Sequence, residues 1–508
     1  MAIDSKRFEL LCSYADEVFD NFEVNDYLVA NPYLHLLRPH PILLKPYEQV
    51  FNEAKNTAFT RICRNARICR DSFSNWRSRQ WKKYQPYHQI TGSSNGKLDI
   101  LIISHVVNKS HIGTVSDFYY GDLPARLTAK GFRVGLAYIN QIGLGPEAFA
   151  NRWSEDGISR FLLSSTPDPR ELKARNKHLR KVAKKLKRYP VSCRSQQLFM
   201  QQAADRATSV ATHTNLNLTS SLGKILEKFA PRMVVFTHEG HAWERLFCRQ
   251  ISQYDKGCLR AGYIHAALFA SQHSLYSQFP VDYNPGRVFT TGETARKQLK
   301  DNEHYLADVA VVLGTHKIPQ STQDRTGLAR NCLVLPEGLT SESLLLFRFS
   351  LLLAKRFPDV TFIWRLHPLI SFHDLHARDR SLKHLPENIQ QSQSPFEADL
   401  KTARWALYRG STAIFQALAA GIRPLYLPGS DGINIDPLHQ LQDWKTAFTA
   451  PEDYQDVFHG SSDKEPEDEK AAERATAFSR ELYSPFDLSA LVNCLPVVQE
   501  HGFVESGQ

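Results

Sequence analysis

The feature that most constrains the fold is a succession of short apolar runs, bounded by turn residues and separated by segments of helix length. The runs are continuous rather than alternating, which is typical of parallel strands buried on both faces. The repeated strand–helix–strand order predicts a doubly wound sheet. The runs of the first series are LDILIISHV (98–106), FRVGLAYIN (132–140), ISRFLLSS (158–165), RMVVFTHE (232–239), LRAGYIHA (259–266) and RVFTTGE (287–293).

A second series of the same kind begins near residue 308. Helix candidates at 342–357 and 413–421 lie between its runs. The predicted fold class is therefore α/β, with two Rossmann-like doubly wound domains facing a cleft. The runs of the second series are DVAVVLGT (308–315), NCLVLPEG (331–338), VTFIWRLHP (360–368), ARWALYRGS (403–411) and IRPLYLP (422–428).

The length of 508 residues exceeds what a single core supports, so the chain is expected to divide into domains. The turn-rich stretch TGSSNG (91–96) marks the first boundary. The predicted units are a mostly helical N-terminal extension at 1–96, a Rossmann-like acceptor domain at 97–305, a Rossmann-like donor-nucleotide domain at 306–470, and a C-terminal helix and tail at 471–508.

The composition, 42% hydrophobic and 23% charged, is that of a globular protein and excludes wholesale disorder. No apolar run is long enough to span a bilayer, and residues 1–20 lack the apolar core of a signal peptide. A cytoplasmic protein is therefore expected. The eight cysteines are scattered and form no C-x-x-C pair, which favours reduced thiols over disulfides or a zinc site.

The net charge of +9 is unevenly distributed. Residues 170–188 predict a dense basic helix, 61–83 mixes basic and aromatic residues, and 452–473 is acidic. A charge run is usually a solvated face. The alternative is attraction to anionic phosphates, either of a polyanionic substrate or of headgroups at the inner face of the cytoplasmic membrane. Because no zinc-finger, recognition-helix or RNA-binding sheet signature is present, nucleic acid is not an expected partner.

The segment Tyr408-Arg409-Gly410-Ser411-Thr412 is the strongest candidate site for a phosphate. An apolar strand ends at Tyr408, Gly410 allows a close backbone approach, and Ser411 and Thr412 are expected to open an alanine-rich helix. The free N–H groups at such a helix start attract anions. The alternative is an ordinary Ser/Thr helix cap. Its position at the carboxyl end of a strand favours the ligand site.

The segment Arg365-Leu366-His367-Pro368 ends another strand of the second series. Alternation places Arg365 and His367 on one face, and Pro368 turns the chain out of the sheet. Arginine and histidine together suit a diphosphate or phosphodiester, and His367 is placed to protonate a leaving phosphate. The alternative is that His367 caps the next loop. Glu337 and Gly338 also lie at a strand end and are expected to contact the donor.

The segment THEGHAWE (237–244) follows a strand of the first series. A partly desolvated carboxylate at this position would have a raised pKa, which makes Glu239 a candidate general base for an acceptor hydroxyl. His238 and His241 are competitors for that role, and His241 is a candidate acceptor contact. Glu244 is expected to belong to the following helix in a structural role.

The exit of the first strand is a polar loop that is expected to line the acceptor half of the cleft. His105 and Asp122 are the candidate acceptor contacts there, and Asp117 or Asp122 is an alternative base to Glu239. The sequence has no D-x-D, G-x-G-x-x-G or G-x-x-x-x-G-K-[ST] motif, which argues against a metal-bound nucleotide sugar, a dinucleotide and an NTPase. Neither a metal nor another cofactor is expected.

Three groups of motifs carry a resemblance to a known family: SHVVN with DFYYGDLP, HEGHAWERL, and RLHP with YRGSTAIFQALAAGIRPLYL. Together they resemble bacterial capsule and O-antigen glycosyltransferases of GT-B architecture, in particular the sialyltransferase and Kdo-transferase-like group that uses CMP-activated ulosonic acids. The resemblance implies that His367, Pro368, Ser411 and Thr412 hold the CMP phosphate and that Glu239 is the base.

The resemblance covers residues 97–450 and departs from the commoner sialyltransferase pattern, because His238 precedes Glu239 where two acidic residues are usual. It implies metal-independent transfer of a sugar, such as Kdo or a sialic-acid-like sugar, to a surface glycan or lipid-linked glycan, as in lipopolysaccharide. Two alternatives stay open. One is a polyol-phosphate transferase of the CDP-glycerol type, and the other is a non-catalytic nucleotide-sugar-binding partner of a polysaccharide assembly complex.

Overall fold

The structure, a computed structural model, describes residues 3–52, 85–92, 96–153, 155–301, 305–318, 330–367, 370–429, 432–459 and 465–496, with 465–468 as backbone alone. The basic and aromatic segment 61–83 and the predicted site residue Pro368 lie outside these ranges.

The first sheet has the strand order β1-β4-β3-β2-β5-β6-β7-β8, and its neighbours run parallel except for the β1–β4 pair. β2 is buried at every position and so is β5, as expected of strands covered on both faces. The strands are β1 Tyr87–Thr91, β2 Ile100–Val106, β3 Val134–Asn140, β4 Ser159–Leu163, β5 Met233–Thr237, β6 Leu259–Ile264, β7 Arg287–Thr290 and β8 Ala310–Val312.

The second sheet is parallel throughout and has the order β11-β10-β9-β12-β13-β14. In both sheets the strand order reverses in the middle, between β2 and β5 in the first and between β9 and β12 in the second. The predicted α/β class with two Rossmann-like domains is thereby confirmed. The strands are β9 Asn331–Leu335, β10 Thr361–Trp364, β11 Ile389–Gln391, β12 Trp405–Tyr408, β13 Arg423–Tyr426 and β14 Thr446–Ala447.

Helices cover both faces of each sheet. Alternate residues of β2 enter different cores: Ile100 and Ile102 pack with the α4 residue Leu127, whereas Leu101 packs with Leu222 of α7. The α-helices are α1 Ser5–Asn21, α2 Asp26–Val29, α3 Pro41–Leu44, α4 Leu123–Ala129, α5 Pro169–Lys187, α6 Arg194–Arg206, α7 Val210–Phe229, α8 Ala242–Tyr254, α9 His273–Tyr276, α10 Glu293–Asp301, α11 Thr340–Arg356, α12 Phe372–Arg378, α13 Phe396–Thr402, α14 Ile414–Ala419, α15 Gln455–His459, α16 Glu465–Leu482 and α17 Leu488–Val492.

Two strands lie in a different unit from the one that the sequence predicts. The run 308–315 is assigned above to the second series, but its strand β8 pairs in parallel with β7 of the first sheet. β1 lies within the predicted helical extension and pairs with β4. A short apolar run specifies a buried strand but not its partner strand, so these two placements come only from the tertiary structure.

The two ends of the chain pack onto both domains. Residues 3–50 form a core of their own with Phe279 from the first half of the chain and Ile433 and Ile435 from the second. The C-terminal segment predicted as helix and tail returns to the first sheet, where Phe486 and Leu491 join its core. The N-terminal extension therefore packs against residues from both halves of the chain, and the C-terminal segment packs against the first sheet.

Two further features of the described residues bear on earlier expectations. None of their helices combines the length and the apolar character that crossing a bilayer requires. The six described cysteines are all free thiols, four of them buried, as the sequence predicts: Cys12, Cys193, Cys248, Cys258, Cys332 and Cys494.

Candidate functional site

Polar residues gather at the point of each sheet where the strand order reverses, which is where open α/β sheets form a crevice. In the first sheet, His105 at the end of β2 hydrogen-bonds through Nε2 to Thr237 Oγ1 at the end of β5, 3.1 Å away. In the second, Glu337 follows β9 and Gly410 follows β12. A Cβ placed on Gly410 would lie 2.8 Å from Glu337 Oε2, so the two segments are in close contact.

The loop between β5 and α8 is held by a buried carboxylate. Glu244 Oε2 accepts hydrogen bonds from the backbone N–H groups of Glu239, Gly240 and His241 at 2.8, 2.7 and 2.9 Å. It also completes a capping box at the start of α8, which binds the loop to the helix. The expected structural role of Glu244 is therefore confirmed, and its effect is to fix the backbone that carries Glu239.

Glu239 lies between two imidazoles. Its Oε2 is 3.4 Å from His241 Nε2, and its Oε1 is 3.9 Å from Nε2 of His265, the residue after β6. Burial alone would raise the pKa of Glu239, but the hydrogen bond with His241 and the charges of His265, His241 and Arg38 hold that pKa well below its ordinary value. The raised pKa expected from the sequence is wrong, because the positive neighbours are non-local.

The two histidines differ in protonation. Burial lowers the pKa of His241, but its hydrogen bond to Glu239 and the charges of Glu244 and Glu239 outweigh burial and raise the pKa above its ordinary value. Burial dominates at His265 and lowers its pKa, although the charge of Glu239 opposes this. The site therefore holds an ionised carboxylate beside one histidine whose pKa is raised and one whose pKa is lowered.

His265 is absent from the sequence-based candidates. The signal that could have found it is the same one that singled out Glu239, a polar residue directly after a buried strand, here in LRAGYIHA (259–266). Its ring packs edge-on against Tyr119, with ring centroids 4.7 Å apart. That contact places it on the same side of the cleft as the loop after β2.

His238 does not reach the cleft. Its side chain is fully buried, with Nδ1 3.3 Å from Glu244 Oε2, and a Cβ on Gly262 would lie 2.7 Å from the Cβ of His238. Strand alternation turns His238 into the core when Glu239 faces outward. Competition from His238 for the role of base is thus excluded by its position.

The predicted acceptor loop is structurally constrained. Asp117 is buried and accepts hydrogen bonds from Ser104 Oγ and from the backbone N–H groups of Tyr119 and Tyr120. Burial nevertheless raises the pKa of Asp117, against the effect of those hydrogen bonds. Because these hydrogen bonds hold Asp117 against β2 and the turn that follows it, Asp117 is a structural residue here rather than a base facing the cleft.

The other two residues predicted on the acceptor side differ in exposure. Asp122 is exposed and lies 4.0 Å from Arg126 one turn along α4. His105 is buried between Thr237 and Gln141, which lies 3.0 Å from its Nδ1, and burial lowers its pKa to about 4. His105 is therefore a neutral imidazole that links the ends of β2 and β5 through its hydrogen bond to Thr237. Of the two histidines predicted on the acceptor side, only His241 lies beside Glu239.

In the second domain four predicted residues come together at the ends of adjacent strands. A Cβ on Gly338 would lie 2.9 Å from the His367 ring, and Gly410 lies against the Glu337 carboxylate. Burial lowers the pKa of His367, although the charge of Glu337 opposes that change. Because both glycines lack a side chain, His367 and Glu337 lie close to accessible backbone. This backbone is at the carboxyl ends of the central strands.

The Ser411–Thr412 turn differs from its expected form. Helix α14 begins at Ile414 and has six residues, and neither hydroxyl caps it. Ser411 is buried and Thr412 is exposed. The expected helix-start anion site is therefore not formed by a long helix, and any anion contact here would come from the turn that follows β12.

Two predicted phosphate-binding arginines have carboxylate partners. Arg409 is buried and donates from Nε to Glu342 at 2.6 Å, and Arg365 donates to Asp399 at 2.5 Å. The Arg365 guanidinium also lies 4.9 Å from the ring centroid of Phe396. Both cations therefore form ion pairs within the second domain, and the pairing of Arg365 with His367 toward one phosphate stays a prediction.

The N-terminal extension supplies two residues that sequence reasoning did not place at the site. His40 Nε2 lies 2.8 Å from Glu337 Oε2, with side chains only 8% and 13% exposed. Arg38, two residues earlier, interacts electrostatically with both Glu239 and Glu337. Nothing in the sequence near these residues signals the contact, since His40 and Glu337 are 297 positions apart.

Metal-binding geometry is not apparent at the site. Within the described ranges, no group of three or more His, Cys, Asp or Glu side chains could hold a metal ion.

No family model and no curated protein matches this sequence. Solved structures with a similar fold include the glycotransferase of kitacinnamycin, at 14% identity and TM-score 0.43 over 76% of this chain and 95% of that one. The calicheamicin glycosyltransferase CalG4 aligns at 14% identity and TM-score 0.44, over 75% and 95%. UDP-GlcNAc 2-epimerase from Neisseria meningitidis, bound to UDP-GlcNAc, aligns at 14% and 0.41, over 78% and 99%. At these identities and TM-scores, the similarity decides nothing about activity.

Proposed function

We propose that this chain is a nucleotide-sugar-dependent glycosyltransferase that joins a sugar to an acceptor hydroxyl without a metal ion. One observation carries the proposal: the N-terminal segment that holds Arg38 hydrogen-bonds to both domains, through the Leu36 carbonyl to Ser274 N and through His40 Nε2 to Glu337 Oε2. The crevices of both sheets therefore open toward a common space. The first domain carries the candidate bases, and the second carries backbone left open by glycines. Two such domains facing each other suit the transfer of a group between two substrates.

In the proposed reaction, the first domain removes the proton. His265 is neutral because burial lowers its pKa, so a ring nitrogen can accept the proton of the acceptor hydroxyl. The Glu239 carboxylate then stabilises the imidazolium that forms, as an ionised partner fixed 3.9 Å away. This assignment replaces Glu239 as the direct base, because a carboxylate of depressed pKa is a weak proton acceptor.

The second domain receives the donor. The acceptor oxygen bonds to the anomeric carbon, and the bond from that carbon to the donor's phosphate oxygen breaks, leaving the electron pair on the phosphate. His367, with the backbone at Gly338 and Gly410–Ser411, stabilises the charge that grows there. Glu337 Oε1 is buried without a hydrogen-bond partner among the described residues, which suits a hydroxyl of the donor's sugar or ribose.

The identity of the donor rests on the resemblance stated above, and we propose a CMP-activated ulosonic acid. A thermal-shift series with CMP, CDP, UDP, TDP and GDP is expected to show the largest stabilisation with CMP. A ligand at 100 times its Kd adds about 2.7 kcal/mol to the free energy of unfolding. His367→Ala is expected to lower turnover of the accepted donor by about 10²–10³-fold. Full activity in that variant would refute the site.

The rival activities give distinct results in the same system. Release of CMP from a CDP-polyol, with no reaction of CMP-ulosonic acids, would replace the proposal with polyol-phosphate transfer. Tight nucleotide binding without turnover of any donor, unchanged in His265→Ala, would indicate a non-catalytic binding partner. Product analysis by mass spectrometry separates these outcomes.

We also propose that helix α5 touches an anionic membrane surface, bringing the enzyme to a lipid-linked glycan acceptor. Its apolar residues Leu179, Val182 and Leu186 are buried against the protein, so charged side chains occupy its outer face. Only one acidic residue lies on this helix, Glu171, and it pairs with Arg175. The exposed basic residues are Arg170, Lys173, Lys177, Arg180, Lys181, Lys184, Lys185 and Lys187.

Charge reversal on α5 tests this contact by co-sedimentation with phosphatidylserine-containing vesicles. Each lysine near an anionic surface contributes about 1 kcal/mol, so reversing three is expected to weaken binding at least about 100-fold. Three exposed lysines outside α5 serve as the matched control. Vesicle binding that does not change with salt concentration or with the content of anionic lipid would contradict the proposal. The test variant reverses Lys177, Lys181 and Lys184, and the control reverses Lys228, Lys256 and Lys300.

A further inference from the structure

The segment Leu36–His40 of the N-terminal extension is anchored to both domains. The Leu36 carbonyl accepts a hydrogen bond from Ser274 N at 2.8 Å, on the side of the first sheet. His40 Nε2 lies 2.8 Å from Glu337 Oε2, on the side of the second. Arg38 lies between these two contacts in the chain. Its backbone is therefore held at both ends, and its side chain has a defined place in the cleft.

The Arg38 guanidinium lacks a hydrogen-bonding partner within the described part of the chain. Its central carbon lies 3.9 Å from the ring centroid of Phe269, so one face is covered by an aromatic ring. Burial lowers the pKa of Arg38, and the charges of Glu239 and Glu337 oppose that change. Each of those carboxylates already has a histidine partner, His241 for Glu239 and His40 for Glu337. As far as the described residues go, the guanidinium N–H groups remain available to a ligand.

Arg38 also lines a cavity of about 290 Å³ formed by the extension and the first domain. His241 lines the same cavity, and Arg206 lies at another part of its wall. Among the described residues, the cavity wall carries no aspartate or glutamate. The other lining groups are mainly aromatic and aliphatic, so the positive charges act across a medium that screens them poorly. Glu239 lies 3.4 Å from His241 Nε2 and offsets part of this positive charge, so the cavity favours a negatively charged group chiefly at Arg38.

We propose that Arg38 and His241 form a phosphate-binding site, supplied in part by the N-terminal extension, for the phosphate group of a substrate. The inference rests on the proposed function for its place in the reaction, because Arg38 lies in the segment that contacts both domains. A guanidinium donates two parallel hydrogen bonds to a phosphate, which lysine cannot do. The phosphate belongs either to the nucleotide donor or to a phosphorylated acceptor.

Binding measurements on the full chain test the site without requiring turnover. Isothermal titration with inorganic phosphate, CMP, cytidine and glucose 1-phosphate is expected to show phosphate binding that weakens with salt. Arg38→Gln is expected to weaken binding of the phosphate-bearing ligands about 10-fold or more, with Arg38→Lys intermediate. Cytidine affinity is expected to stay unchanged. The matched control is Arg287→Gln, an exposed arginine at the amino end of β7 and outside the cavity wall, which keeps the wild-type phosphate affinity.

The pattern of losses identifies the source of the phosphate. A loss for CMP assigns the site to the donor, and a loss confined to glucose 1-phosphate and inorganic phosphate assigns it to the acceptor. Wild-type affinity for all phosphate ligands in a folded Arg38→Gln protein would overturn the inference, as would absence of phosphate binding in the wild type. These outcomes are independent of whether any sugar is transferred, so failure of the proposed activity is recognised separately.

Discussion

Replacement of Gly240 by alanine is expected to lower the free energy of unfolding by about 3 kcal/mol or more. Gly240 has a φ of +89°, a left-handed conformation that costs an alanine strain energy. An added Cβ would also lie 2.5 Å from the Ser274 carbonyl oxygen and 2.6 Å from Leu275 N. These are backbone atoms of a packed segment, so they cannot move aside as a flexible side chain would.

Urea unfolding followed by circular dichroism measures the effect, and Gly131 provides a matched control. Gly131 also has a φ of +89°, but no atom lies within 4 Å of its added Cβ. Gly131→Ala therefore reports the backbone strain alone, about 1 kcal/mol. The difference between the two variants isolates the packing at Gly240. Equal losses in both variants would show that the Gly240 loop is not packed against Ser274.

The packing at Gly240 matters for the site because it positions Glu239. The Gly240 carbonyl accepts a hydrogen bond from Ser274 Oγ, and its N–H donates to Glu244 at 2.7 Å. Ser274 N in turn donates to the Leu36 carbonyl of the extension. A shift at Gly240 is therefore expected to displace both Glu239 and the segment that carries Arg38.

The second large effect is expected from Glu239→Gln, which keeps the shape of the side chain and removes its charge. The hydrogen bond to Glu239 and its charge raise the pKa of His241, and that charge also opposes the burial-driven lowering at His265. Both histidine pKa values are expected to fall in the variant. Proton NMR titration of the histidine ring signals measures the change, with Glu227→Gln on the exposed face of α7 as control.

The same substitution is expected to lower kcat by about 10²–10³-fold, because the developing imidazolium loses its carboxylate partner. The acidic limb of the pH–rate profile is expected to move to lower pH, since His265 protonates less readily. An unchanged His241 pKa would refute the pairing seen here. An unchanged kcat with shifted pKa values would keep the pairing and remove Glu239 from the reaction.

The linkage to stability has a defined sign. The folded-state pKa of Glu239 lies below its ordinary value of 4.5, so its contribution to stability is present above that pH and is lost as pH falls. The folded-state pKa of His241 is raised above 6.5, so its contribution is present below that pH and is lost as pH rises through the raised value. Glu239→Gln is expected to reduce both the loss of stability at low pH and the loss of stability as His241 deprotonates.

The sequence by itself determined the strands of both sheets and the kind of residue that follows them. The runs at 98–106, 232–239 and 403–411 each contain a buried strand, because continuous β-branched and aromatic runs are stable only when covered on both faces. Residues after such strands lie at one edge of a parallel sheet. That rule correctly indicated the neighbourhoods of Glu239, Glu337 and Gly410, since it depends on local chain geometry alone.

The tertiary structure decided which charged residues are already paired with another residue of the chain and which are not. Arg409 is neutralised by Glu342, 67 positions away, and Arg365 by Asp399, 34 positions away. Arg38 enters the cleft from an extension that shows no local signal of function. Electrostatic pairing depends on distance in space, and sequence separation does not constrain that distance once the chain has folded.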